Sequence, residues 1–347
     1  MADPQVVKSA ALVRFAADLL GAAGFPGDVA EQAAEVLVWA DLRGHASHGV
    51  MRLPTYVAWT AKGIIDPAAK PSVTRSKGAV EVIDAARALG PWALTMAADA
   101  AVERARETAV AWVLVRDHSH AGAIGYYARR IADAGMMSVV MTASRPLMAY
   151  YGTRGVAAST NPLAIGTPGG WLLDMSSAAI AKGKILAAAA AGKPLPEGVA
   201  SDADGNPTTD PAKAVTPLPL GGPKGAGLSV MIECLTSLAL ANPLIATGLS
   251  DAKEAKDFRQ NGLVVAIDPA VISDDADLAS ATSDLDAALK TQPRATGFDE
   301  VLHPGERGDR MEAARRSDGI PIAAKTWGQL ASLAEAQGLA MIEPLEG

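Results

Sequence analysis

The stretch from Val110 to Thr142 limits the folds open to this chain more than any other. Val110 to Val115 is a short apolar run that reads as a buried strand. His118-Ser119-His120 follows at its C-terminal end. A helical pattern then runs from Ile124 to Ala134, and a second strand from Met137 to Thr142. This strand, loop, helix, strand order is a βαβ-like unit and points to an α/β fold. Ligands in α/β folds gather beyond the C-terminal ends of the strands. That rule places His118, His120 and Ser144 where chemistry is expected.

The segments on either side extend the pattern. Val73 and Val80 to Ile83 read as strands, and Pro91 to Thr108 as an alanine-rich helix. Leu163 to Thr167, Trp171 to Met175 and Val264 to Ile267 read as further strands. Ser176 to Ala191 and Leu228 to Leu240 read as helices, with a loop rich in proline and aspartate at 193–216 between them. Before residue 70 the periodicity is helical. Residues 5 to 23 carry Val7, Leu12, Phe15, Leu19 and Leu20 at helical spacing. Asp28 with Glu31 forms a variant capping box for a second helix, which stops at Gly44. A third helical stretch surrounds Arg52 to Lys62, with Pro54 tolerable in its first turn. Asp277 to Lys290, Arg307 to Arg316 and Thr326 to Gln337 read as amphipathic helices. The expected organisation is a helical segment at 1–70, joined by C-terminal helices within 305–347, beside a mixed α/β region at 71–304.

Composition removes several classes. The 347 residues include 38 acidic and 31 basic ones, a formal charge of −7, with no long basic run. A nucleic-acid partner is therefore not expected. No uninterrupted apolar run is long enough to span a bilayer, and the N-terminus lacks the order of a signal peptide. The single cysteine, Cys234, excludes an intrachain disulfide framework and suits a reducing, cytoplasmic compartment.

Four of the five histidines fall in two tight clusters, His45 with His48 and His118 with His120. Imidazole exchanges protons near neutral pH without a large pKa shift. Arg52 lies four residues after His48, so the two share a face if both are helical. A guanidinium there would grip a carboxylate while the imidazole exchanges a proton with the oxygen on the next carbon. That suits a 2-oxo or 2-hydroxy acid. The plainer alternative for Arg52 is a surface ion pair. The histidines could instead ligate zinc, although no HExxH or third-carboxylate pattern supports them. His303 stands alone, with a structural role as the default.

The dinucleotide fingerprint G-x-G-x-x-G is absent. Gly221 to Gly227 could hold an anion on backbone N–H groups with Lys224 as the cation, or could be an ordinary tight turn. Asp202-Ala203-Asp204 imitates the start of a calcium loop. Pro207 occupies the position that needs glycine, and Lys213 the one that needs glutamate, so a solvated turn is expected.

The ordered motifs resemble one family. They are Asp41-Leu-Arg-Gly-His-Ala-Ser-His-Gly-Val-Met-Arg-Leu-Pro54, His120-Ala-Gly-Ala-Ile-Gly-Tyr-Tyr127, Asn161-Pro-Leu-Ala-Ile165, Leu173-Asp-Met-Ser176, Gly222-Pro-Lys-Gly225 and Pro304-Gly-Glu306. Together they resemble the second, non-Rossmann type of malate/L-lactate dehydrogenases. That family includes sulfolactate, ureidoglycolate and diketogulonate-type oxidoreductases and reductases of cyclic imino acids.

The resemblance implies a cytoplasmic homodimer with its own α/β nicotinamide-binding fold and a smaller helical domain. It implies NAD or NADP as cofactor, with NAD favoured, and a small 2-oxo or 2-hydroxy acid as substrate. His48 would be the acid/base, with His120 lining the site as the competing candidate; if neither histidine is the acid, a bound water or Lys184 is the next candidate on the residues alone. Arg52 would bind the substrate carboxylate, with Ser47, Thr160 and Asn161 beside it. Ser144, Asp174, Met175, Ser176, Lys224, Gly305 and Glu306 match cofactor positions. No resident metal is implied. His118 stands where many members have serine, and Ser159 where glycine is common. Arg145 and Tyr150-Tyr151 lie in a loop that varies with substrate. These departures bear on the substrate, not on the hydride chemistry. The alternatives are a cyclic imino acid reductase, a zinc hydrolase built on the histidines, and a catalytically silent anion binder.

Overall fold

The computed structural model describes residues 3–251, 258–272 and 277–345. It opens with a short strand, β1 (Gln5–Val7), before helix α1 (Ser9–Ala22). The helical reading from residue 5 is therefore too long at its start. Val7 instead pairs with Ile320 of β11 (Ile320–Ile322) near the other end of the chain, a contact that local periodicity cannot show. Helix α2 (Gly27–Leu42) begins after Pro26, and no side chain caps it. Asp28 with Glu31 is thus not a capping box. Asp28 is an acidic residue in the first turn, favourable there toward the helix dipole. Helix α3 (Leu53–Ala61) carries Pro54 in its first turn, where no backbone N–H is missed.

Next come β2 (Ser72–Lys77), β3 (Val80–Asp84), α4 (Gly90–Thr108), β4 (Val110–His118), α5 (Gly125–Asp133) and β5 (Met137–Ala143). They are followed by β6 (Pro162–Gly166), β7 (Leu172–Ser176), α6 (Lys182–Ala191), and the two-residue strands β8 (Ala200–Ser201) and β9 (Thr216–Pro217). The remaining elements are α7 (Pro223–Glu233), α8 (Ile245–Ser250), β10 (Gln260–Ile267), α9 (Leu278–Lys290), α10 (Glu306–Asp318) and α11 (Ala324–Ala336). A π-helical turn, Cys234–Leu238, follows α7.

Seven strands form the central sheet, in the order β2-β3-β4-β10-β5-β6-β7. This is the mixed α/β architecture expected. The parallel pair is β3 and β4, joined through α4, and every other neighbouring pair is antiparallel. β4 and β5 run the same way, but β10 inserts between them from far along the chain. Within this sheet the interior of β10, Asn261 to Ala266, is buried throughout, as befits a central strand. At the edge, every residue of β2 is exposed, and its polar Ser-Val-Thr-Arg-Ser-Lys composition blunts further pairing.

One end of this sheet gathers polar groups. The C-terminal ends of β4, β5 and β7 meet the N-terminal ends of β10 and β6 there. A core of α4, α5 and sheet residues lies on one side of the sheet. A second core joins α1, α2 and α3 to Ile320, Ile322 and Leu330. α2 contributes Val36, Trp39 and Ala40 to the first core and Leu37 and Val38 to the second, so it ties the two together.

Candidate active site

The first histidine cluster is built by the end of α2. After Leu42 the chain makes two 3-10 turns, Ala46–His48 and Val50–Arg52, with extended Gly49 between them. His48 and Arg52 therefore do not lie on one helical face, as the i, i+4 spacing had implied. They come together because Arg52 folds back, and its Nε donates to the Ser47 carbonyl at 2.6 Å. Asp41 sets this turn. Its Oδ2 accepts from the Val50 N–H at 2.8 Å, and its carboxyl packs directly under the Cα of Gly49. Burial raises the Asp41 carboxyl to about 7, against the lowering effects of the Val50 N–H and Arg315.

The second cluster divides. His118 is the last residue of β4 and is fully buried. Its Nδ1 donates to the Ser119 carbonyl at 2.6 Å and its Nε2 has no hydrogen-bond partner among the described residues. Its position at a strand end had marked it for chemistry. In the structure it is a core residue, and burial holds its pKa at about 4. His120 turns the other way and stacks on His48, with ring centroids 5.4 Å apart and planes 29° apart. Gly90 permits this. A Cβ there would lie 2.4 Å from the His120 carbonyl oxygen.

Tyr56 completes the group. Its hydroxyl, carried by the fully buried fourth residue of α3, lies 2.8 Å from His120 Nδ1. Sequence reasoning missed it, because a lone tyrosine in a helix reads as core. The one available signal was its place four residues after Arg52. On the other ring, Ser47 Oγ lies 2.9 Å from His48 Nδ1. Neither Nε2 meets a protein partner among the described residues, and both rings are partly exposed. Burial lowers the His48 pKa to about 4, followed in size by the charge of Arg52. The same two causes push His120 well below its ordinary value. Both imidazoles are neutral at pH 7.

A polar seam runs beside the pair along the sheet end. The Asn161 amide accepts from the Ser144 N–H at 3.1 Å and donates to the Ser229 carbonyl at 2.9 Å. With 1% exposure, its side chain braces the seam from beneath. Ser144 Oγ meets Ser159 Oγ at 2.7 Å, and Ser176 Oγ donates to the Thr160 carbonyl at 3.0 Å. Met175 is half-buried on β7, opposite Leu163. Asp174 accepts from the Gly125 N–H at 3.0 Å, at the start of α5. Gly305 lies over Leu172, and its carbonyl accepts from Arg43 Nη2 at 3.0 Å. Glu306 is buried against Lys290 and Arg310. Lys224 is exposed in the first turn of α7, and the glycine-rich stretch divides into a turn at Gly221–Gly222 and helix from Pro223 onward.

Residues 7–331 match the malate/L-lactate dehydrogenase family. The chain belongs to this family. An L-sulfolactate dehydrogenase of Methanocaldococcus jannaschii is 34% identical, covering 95% of this chain and 96% of its own. The solved sulfolactate dehydrogenase from that organism superposes with a TM-score of 0.87 at 33% identity, over 96% of this chain and 98% of that one. The NAD(+)-named ureidoglycolate dehydrogenase of Escherichia coli K12 is 31% identical over 86% of this chain and 87% of its own. A solved Δ1-piperideine-2-carboxylate reductase from Pseudomonas syringae pvar. tomato has a TM-score of 0.83 at 29% identity, covering 95% and 100%. One further relative is named as NADP(+)-dependent.

This dehydrogenase is thus an oxidoreductase of CH–OH groups that uses a nicotinamide dinucleotide. Burial, then the charges of Arg43, Arg307 and Lys184, lower the pKa of His45, so three cations surround that half-buried ring. Arg43 is paired with Asp309 and Glu312, but Lys184 and Arg307 have no ion-pair partner among the described residues. Two uncommitted cations whose charges act on one half-buried imidazole match the charge of a diphosphate. Among the described residues, the one group with three metal-type donors is Asp286, His303 and Glu306. Lys290 bridges its two carboxylates, so its charge is already met.

Proposed function

We propose that this enzyme reduces a small 2-oxo acid of the sulfolactate or malate type to its 2-hydroxy acid with NADH, and runs the reverse oxidation. The observation that carries this is the state of Arg52. Its Nε is fixed on Ser47, while its two terminal nitrogens meet no protein partner among the described residues. That free edge, beside two neutral imidazoles, suits bidentate capture of a carboxylate. NAD is proposed over NADP because the NAD(+)-named relative covers 86% of the chain, against 63% for the NADP(+)-named one.

The bound nicotinamide supplies the hydride; the chain supplies position and a proton. Arg52 holds the carboxylate so that the oxygen on the neighbouring carbon faces the two Nε2 atoms. Neutralising Arg52 removes one cause of the low His48 pKa, so substrate binding favours uptake of a proton by His48. As the alkoxide forms, His48 gives it that proton from Nε2. In the reverse direction the neutral ring accepts the hydroxyl proton. Ser47 can donate to or accept from His48 Nδ1, so it serves both forms. Lys184 and Arg307 would hold the cofactor diphosphate, with Lys224, exposed in the first turn of α7, as a further cation for the same ligand.

His48→Asn should lower kcat by about 10²–10⁴-fold and leave NADH affinity nearly intact. Full activity in that variant would remove His48 as the proton donor. A cyclic imino acid presents nitrogen in place of oxygen to the same groups, and the likeness to the P. syringae reductase supports testing it beside the oxo acids.

Assembly as a homodimer is part of the same proposal. Leu186, Met231, Leu238 and Leu249 are each at least half exposed on α6, on α7 with its π-helical turn, and on α8. A second copy covering them would bury this apolar surface. Light scattering at one chain mass, 35.5 kDa, would refute the dimer. The cytoplasm, where thiols stay reduced, fits the single free cysteine.

A further inference from the structure

We propose that Tyr56 and the backbone N–H of Gly122 lock His120 as the neutral tautomer with its proton on Nε2, which makes Tyr56 a positioning residue for the reaction. This deepens the proposed function and rests on its placing of His120 at the substrate.

The geometry leaves little choice. The Gly122 N–H donates to His120 Nδ1 at 3.2 Å, and the Tyr56 hydroxyl lies 2.8 Å from the same nitrogen. A backbone N–H can only donate, so Nδ1 must be an acceptor. A proton on Nδ1 would face the Gly122 N–H donor to donor. Tyr56 could turn its own proton elsewhere, but its other acceptor, the His120 carbonyl, is 3.5 Å away. The shorter contact wins, and two donors converge on one nitrogen. The ring proton is left on Nε2, the atom without a protein partner among the described residues.

The stacked imidazoles are therefore not equivalent. His48 Nδ1 faces a hydroxyl that turns, so this ring can gain and lose a proton. His120 Nδ1 faces an amide that does not turn. Protonating His120 would break the Gly122 contact and set a second cation beside Arg52, whose charge already disfavours it. His120 instead offers a fixed Nε2–H donor to the substrate oxygen. It polarises the C=O bond as hydride adds, and steadies the alkoxide until His48 protonates it. No bond at His120 is made or broken. Tyr56 is fully buried, so its hydroxyl is held in place.

Histidine-selective 15N labelling tests this in the full-length enzyme, with and without bound NADH. His120 signals are assigned by their loss in His120→Asn. The wild type should show a protonated Nε2 and a bare Nδ1. That pattern should persist as pH falls through about 6.5, where an ordinary histidine titrates. Tyr56→Phe should admit a detectable Nδ1–H population and lower kcat roughly tenfold, the loss of about one hydrogen bond, with KM and NADH affinity unchanged. A protonated Nδ1 in the wild type would overturn the proposal, as would wild-type signals and kcat in Tyr56→Phe. If that variant does not fold, the wild-type spectrum still decides. The expected tautomer in an enzyme inactive on every oxo and imino acid would refute the proposed function instead.

Discussion

Gly49→Ala is the substitution to which the first histidine turn is most sensitive. Gly49 separates the two 3-10 turns that present His48 and Arg52. A Cβ there would lie 2.1 and 2.3 Å from the Asp41 carboxyl oxygens and 2.2 Å from its carbon. Non-bonded contact is comfortable only near 3.5 Å, so something must move by roughly 1 Å. The backbone is ordinary at this position, with φ −88°, so the effect is steric rather than conformational. Asp41 resists displacement because it is 3% exposed and holds the Val50 N–H. Leaving that buried pair unmade costs about 1–3 kcal/mol. Shifting the turn instead misplaces His48 and Arg52 against His120, and an error of about 1 Å can cost 10²-fold in rate. We expect Gly49→Ala to lose about 1–3 kcal/mol of stability in urea unfolding and about 10²-fold in kcat/KM. With Asp41→Ala already in place, the added methyl should cost little further stability, because its clash partner is gone. Wild-type stability and kcat/KM in Gly49→Ala, or simple additivity in this cycle, would refute the argument.

Other outcomes follow from the same geometry. Arg52→Lys loses the planar fork, so KM for the acid substrate should rise at least about tenfold while NADH affinity holds; a wild-type KM would make Arg52 a surface residue. Because Arg52 helps hold the His48 pKa down, binding of a 2-oxo acid should draw a proton from solution. Calorimetry in buffers of different ionisation enthalpy would then give different apparent heats; identical heats would deny the coupling. His118, buried with a pKa of about 4 against an ordinary 6.5, resists protonation in the fold. Its contribution is intact above pH 6.5 and is lost as pH falls toward 4, by about 3 kcal/mol. Asp41, raised to about 7, acts in the opposite sense, since its burial cost is relieved as pH falls toward 3.8. The test is therefore the difference between wild type and His118→Gln, which should have a shallower acid slope in urea unfolding; parallel profiles would contradict it.

Local periodicity captured most elements of the sheet but not their neighbours. β4, α5 and β5 lie where the valine-rich runs and the helical spacing put them. The insertion of β10 between them joins residues more than a hundred positions apart, and nothing local encodes it. Gly222-Pro-Lys-Gly225 reads as either a helix opening or a tight turn, since glycine disfavours helix by up to about 1 kcal/mol. Gly222 does sit in a turn, with φ 63°, but Pro223 to Gly225 open α7; a Cβ at Gly225 would lie 2.4 Å from the Leu220 carbonyl, so only glycine permits the close packing. At the site, His48, His120 and Arg52 were legible as residue types in clusters. Their geometry was not, since it depends on two 3-10 turns and a buried aspartate rather than on a helical face. His118 shows the limit of proximity in sequence. It is two residues from His120, yet it ends a strand with its ring in the core.

Following NADH absorbance with the 2-oxo forms of sulfolactate and malate, in the wild type and in His48→Asn, tests the proposed chemistry most directly. Turnover of at least one acid is expected in the wild type. His48→Asn should be slower by about 10²–10⁴-fold, with NADH affinity unchanged. Tight NADH binding without oxidation by any 2-oxo or cyclic imino acid would contradict the proposal, and so would an undiminished rate in His48→Asn.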